Sequence, residues 1–138
     1  MAKYHVALIG TGRVGYQFSF SDLPDNHAEA IVQSEACELV AGVNRGKEKL
    51  EAFGARFSVD ALFHDHEEML REVRPDICVV ATHPELHCEM VVGCAEASST
   101  RAIICEKPMA LSLDECDRMI EACESRGVLL QINHNRRW

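Results

Sequence analysis

The sequence predicts a doubly wound parallel α/β sheet in a single domain covering residues 1–138. Three observations predict it. Five short runs are rich in Val, Ile and Ala without polar alternation, as in parallel strands covered on both faces. Amphipathic helix candidates lie between them, giving a βαβα order. Gly10, Gly12 and Gly15 stand in GxGxxG spacing directly after the first run. Together these make the sheet one of the Rossmann type.

The first strand candidate is His5–Ile9, which feeds "GTGRVG". Gly10 permits a tight turn there, and Gly12 lets the backbone approach a pyrophosphate. Gly15 allows the following helix to pack closely. The N–H groups that open that helix bind an anion, so Arg13 and Val14 belong with the three glycines as cofactor-binding candidates. The stretch "YQFSFSDLPDNHA" then brings in aromatic, polar and Pro residues, so the first helix is expected to be split or delayed.

Leu39–Val43 is the second strand, followed by the helix "EKLEAFGARF". "HEEMLREV" is a helix that Asp65 and Glu68 open as a capping box. Ile77–Ala81 is the third main strand, and "ELHCEMVVGCAEA" is a helix opening after Pro84. Ala102–Cys105 is the next strand. "LDECDRMIEACESRG" follows it, with Ser112 and Glu115 as a capping box and Gly127 at its stop. Val128–Ile132 is the last strand, and "NHNRRW" after it has the polar character of a binding-site rim.

Composition narrows the function classes. The hydrophobic fraction of 47% suits a packed core. A net charge of −8, from 14 basic and 22 acidic residues, argues against a nucleic-acid partner. No apolar run approaches the roughly 20 residues of a membrane span. The N-terminus shows no signal-peptide pattern, and seven cysteines without CxxC read as reduced, mostly buried thiols, so a cytoplasmic location is expected.

The end of the second strand bears on the cofactor. NAD-binding versions of this sheet carry an acid there, whereas an Arg can receive a 2′-phosphate. Here the segment is "AGVNRGKEK": Asn44 occupies the acid's place and Arg45 follows. Asn44 can bond a ribose without repelling a phosphate, and Arg45 can pair with one, which favours NADP over the alternative, NAD. His83, His87 and Cys88 have a spacing that could suit zinc, but Pro84 leaves His83 outside the helix and no third ligand is evident, so no metal is assigned. Arg136 and Arg137 could pair with acids, contact phosphate or face another domain.

By "ICEKPMALS" the chain resembles the glucose-fructose oxidoreductase / inositol dehydrogenase (Gfo/Idh/MocA) family. The likeness rests on the glycine loop, "HAEAI", "FHDHEEMLREVRPDICVVATHPELH", the Glu106-Lys107-Pro108 triplet and "NHNRRW". It implies an NAD(P)-dependent oxidoreductase acting on a sugar, polyol or related hydroxyl compound. It also implies that Lys107 is the catalytic residue and that Thr82, His87, Glu106, Lys107 and Asn135 lie at the cofactor. Thr82-His83-Pro84 departs from the family's usual Thr-Pro-Asn, and the Tyr16–Asn26 stretch is longer than usual. Full-length members continue into an α+β domain that shapes the substrate pocket. A chain ending at Trp138 is therefore expected to be cut short, with surface around Asn135, Arg137 and Trp138 prone to self-association. A non-catalytic dinucleotide-binding module working through a partner chain is the alternative; a methyltransferase fits the three-glycine spacing less well.

Overall fold

The computed structural model describes residues 3–17 and 25–134. Six strands form one fully parallel sheet in the order β3-β2-β1-β4-β5-β6. They are β1 Tyr4–Ile9, β2 Cys37–Val43, β3 Ala61–Phe63, β4 Ile77–Val80, β5 Ala102–Glu106 and β6 Leu129–Asn133. Among the described residues, five α-helices connect them: α1 His27–Gln33, α2 Lys47–Phe57, α3 His66–Val73, α4 His87–Glu96 and α5 Leu113–Arg126.

Alternation along β1 shows why the strands read as continuous apolar runs. Val6 and Leu8 point to one face, where they meet Ala28, Ile31, Phe53 and Val59 from α1, α2 and the chain beyond. Ala7 and Ile9 point to the other, where they join Met69, Val91, Ile103 and Met119 over α3, α4 and α5. Both faces are buried, so neither tolerates a polar set.

The helix ends follow the expected chemistry. Asp65 Oδ1 accepts from the Glu68 N–H at 2.8 Å, and Ser112 Oγ accepts from the Glu115 N–H at 3.2 Å. Gly127 ends α5 in the left-handed region, at φ +66. The helix expected from Glu85 begins as a 3-10 turn over Pro84–Leu86 and becomes α-helical at His87.

Two findings differ from the sequence reading or sharpen it. β3 was not anticipated; three residues are too few to show a period, and the strand exists because Ala61–Phe63 pair with Ala41–Val43. The first helix is indeed interrupted. A π-helical turn over Arg13–Gln17 follows the glycine loop, and α1 starts only at His27, where Asn26 caps it by accepting from the Glu29 N–H at 3.0 Å. Of the Tyr16–Asn26 stretch, residues 18–24 lie outside the described part. Tyr16 itself is buried, edge-on to Phe53 and Phe57.

Candidate active site at the carboxyl edge of the sheet

Because the sheet is parallel and the strand ends are in register, the carboxyl ends of β1, β2, β4, β5 and β6 lie along one edge. The strand order reverses between β1 and β4, and ligands of open α/β sheets bind at such a reversal. Gly10 lies there at φ +99, and a Cβ on it would stand 2.5 Å from the Ala81 carbonyl oxygen. No L-side chain fits that conformation or that gap. A Cβ on Gly15 would run into the Gly10 carbonyl oxygen. Gly15 therefore lets the π-turn lie close against the end of β1, at the Gly10 carbonyl and the Leu8 side chain, as its place in the loop predicts.

Gly12 is the opposite case. Among the described residues, no heavy atom lies within 4 Å of the place its Cβ would take. The backbone is open on that side, and this is where a pyrophosphate approaches in such loops. Arg13 and Val14 are exposed beside it. Thr11 is fully buried, and its hydroxyl has no bonding partner among the described residues. The loop thus fits a dinucleotide.

On the β2 side, Asn44 bonds its own neighbourhood. Its Oδ1 accepts from the Gly46 N–H at 2.8 Å, and its N–H donates to the Phe63 carbonyl at 3.1 Å. The turn uses the carbonyl end of the side chain and not its amide NH₂. Arg45 is exposed. Lys47 pairs with Glu51 across one turn of α2, which opens at Gly46 without a side-chain cap.

On the β4–β5–β6 side the site is made of side chains. Glu106 ends β5, opposite Asn133 of β6. Its Oε1 accepts from Asn133 Nδ2 at 2.6 Å and from His27 Nε2 at 2.8 Å. Burial by itself pushes the Glu106 carboxyl up. The bonds from His27 and Asn133, the His27 charge and the Lys107 backbone N–H together outweigh burial and hold it below its ordinary value. Beside it, burial and then the Glu106 charge push the Cys105 thiol up to about 12, so this cysteine stays protonated.

Lys107 follows on the rim, exposed, with a cis peptide bond to Pro108. The His87 side chain is turned into the protein. It is fully buried, with Nδ1 2.8 Å from the Pro108 carbonyl oxygen and Nε2 3.1 Å from the Thr82 carbonyl oxygen. The expected cofactor contact of the His87 ring is therefore not available. Thr82 stays half-buried, its Oγ1 donating to the His83 carbonyl at 3.3 Å. Neither His87 nor Cys88 turns toward a shared centre; Cys88 Sγ faces the Glu115 carbonyl. Asn135 lies outside the described residues. His27 and Asn133 were missed as site residues. His27 lies within "HAEAI" and Asn133 opens the rim cluster, but only folding brings both to Glu106.

A glycine loop open at the strand-order reversal, flanked by Arg45 on one side and by Glu106 and Lys107 on the other, defines a dinucleotide-binding domain of the Rossmann type. Over residues 4–134 the sequence matches the family described as "Oxidoreductase family, NAD-binding Rossmann fold", and the chain belongs to this Gfo/Idh/MocA family. It is 35% identical to D-apiose dehydrogenase of Paraburkholderia graminis over 82% of its length, which is 30% of that protein. It is 29% identical to myo-inositol 2-dehydrogenase of Thermotoga maritima over 96% of its length, 36% of that protein. The crystal structure of the WlbA dehydrogenase from Bordetella pertussis, in complex with NADH and UDP-GlcNAcA, superimposes with a TM-score of 0.84 at 32% identity, covering 99% of this chain and 38% of that one. The chain thus spans about a third of the length of the proteins it matches.

Proposed function

We propose that the chain is the cofactor-binding part of an oxidoreductase that moves a hydride between the nicotinamide of NADP and a hydroxyl-bearing carbon of a sugar, polyol or related compound. The observation that carries this reading is the pairing of a glycine loop open at Gly12 with Lys107 at the end of β5, on opposite sides of the reversal between β1 and β4. The relatives' own substrates, an apiose and an inositol by name, support the substrate class. The seven free thiols suit a reducing cytoplasm.

The loop backbone at Gly12, Arg13 and Val14 holds the pyrophosphate, and Asn44 with Arg45 holds the ribose and its 2′-phosphate. The nicotinamide supplies the two-electron acceptor at C4. When an alcohol is oxidised to the carbonyl, the Lys107 amine would take its O–H proton. In the reverse direction Lys107 returns that proton to the alkoxide oxygen. Glu106 does not serve as the base: its carboxylate is already bonded to His27 and Asn133.

The test is calorimetric titration of the chain with NADPH and with NADH. Tighter binding of NADPH is expected. Equal affinities or an NADH preference would overturn the assignment to NADP, and no binding of either would overturn the reading as a whole.

A further inference from the structure

We propose that His87 is a positioning residue for Lys107, acting through the carbonyl of Pro108. The inference rests on the proposed role of Lys107. His87 opens α4 and has no exposed surface. It can reach a ligand only through the groups it bonds, and these are the carbonyls that follow β4 and β5, the two strands on the Lys107 side of the reversal. A carbonyl only accepts and an imidazole with one N–H donates once, so the ring bonds one of these two carbonyls through its proton. The shorter contact, 2.8 Å, places that proton on Nδ1, toward Pro108.

Lys107 needs such support. Its side chain is exposed, and it forms no ion pair or side-chain hydrogen bond among the described residues. A flexible four-carbon stem then aims its amine only as well as the backbone beneath is held. That backbone is held from two directions. On one side Glu106, the residue before Lys107, is bonded through its carboxylate to His27 and Asn133, and on the other the carbonyl one residue on is tied to His87. Glu106 is anchored to α1 and β6, whereas His87 is anchored to α4, so the dipeptide is fixed between elements from both ends of the sequence.

The test uses three substitutions and the wild-type chain. Asn places its amide nitrogen where His87 has Nδ1, Gln places it where His87 has Nε2, and Leu has neither. Labelling of Lys107 by trinitrobenzenesulfonate is followed by peptide mapping, with and without NADPH. In the wild type, bound NADPH shields Lys107. His87→Leu and His87→Gln are expected to lose the shielding while still binding NADPH, and His87→Asn to keep it. A purely structural role predicts that Asn and Gln fail alike, in step with melting temperature, and that result overturns the proposal, as does intact shielding in His87→Leu. Should the variants not fold, nitrogen-15 spectra of the wild-type ring decide. An exchange-protected Nδ1–H coupled to the Pro108 carbonyl supports the proposal, and a ring protonated only on Nε2 overturns it. A wild-type chain that binds NADPH without shielding Lys107 breaks the underlying reading of Lys107 and with it this proposal. A chain that binds no dinucleotide breaks the proposed function and leaves the ring spectra to judge the Pro108 bond.

Discussion

The two sides of the carboxyl edge are built in opposite ways. On the β1–β2 side the candidate site is backbone and empty space: Gly12 open to its surroundings, Gly10 and Gly15 too crowded for any side chain, Arg45 standing exposed. On the β4–β5–β6 side it is interlocked polar side chains, with His27, His87, Glu106 and Asn133 each bonded to groups distant in sequence. An anion can be met by N–H groups that any residue carries, provided nothing blocks the approach. Aiming an amine at a reacting atom needs side chains of particular length and direction, and these must be held. The first side should therefore be broken by adding atoms and the second by removing them.

The largest effect is expected from Gly12→Val. Its Cβ would meet no atom of the described residues, so the fold should survive, while the pyrophosphate's place is filled and dinucleotide binding is abolished. Circular dichroism beside calorimetry checks both halves of that statement. Unchanged affinity with an intact spectrum would show that the ligand does not lie on this loop.

Next comes a deletion on the other side. Glu106→Leu removes the acceptor of His27 and Asn133 and leaves their donors unpaired in a buried place. A loss of about 3 kcal/mol in chemical denaturation is expected, since breaking a buried hydrogen-bonded charge is costly. A change within about 0.5 kcal/mol, the range of ordinary surface substitutions, would mean that the cluster does not hold this edge together.

Arg45→Asp should be milder and selective. It is expected to weaken NADPH by about 2 kcal/mol, the worth of a charge-assisted hydrogen bond, and to leave NADH nearly unchanged. Equal losses for the two cofactors would move the 2′-phosphate away from Arg45.

The smallest effect concerns acid. Glu106 has its folded pKa held below the ordinary 4.5, so its contribution to stability is present above pH 4.5 and is lost as pH falls below that value through the folded pKa. Thermal melting from pH 6 to pH 3 should therefore fall less steeply in Glu106→Gln than in the wild type. Parallel acid limbs would show that the carboxylate gains nothing from its partners on folding.

The same contrast explains what could be read in advance. The glycine loop, the capping boxes at Asp65 and Ser112, the stop at Gly127 and five of the six strands are local matters. Each is decided by a residue's own conformational limits or by neighbours a few positions away. The sequence by itself therefore determined a doubly wound sheet with an anion loop after its first strand, and it marked Glu106-Lys107-Pro108 as a strand-end triplet. It also implied the break in the first helix through "FSFSDLPDN". Only the tertiary structure decided the rest. β3 exists because β2 offers it a partner, not because three residues prefer to be extended. His87 is identical in sequence whether it faces a ligand or two carbonyls, and burial on α4 settled that it faces the carbonyls. The joining of His27, Glu106 and Asn133 spans most of the chain, and no periodicity encodes it. It follows from the parallel register that sets Asn133 opposite Glu106 and from the interrupted helix that starts α1 at His27. Local preference is a property of neighbours in sequence. A polar cluster of this kind is a property of the packing that makes distant residues neighbours in space.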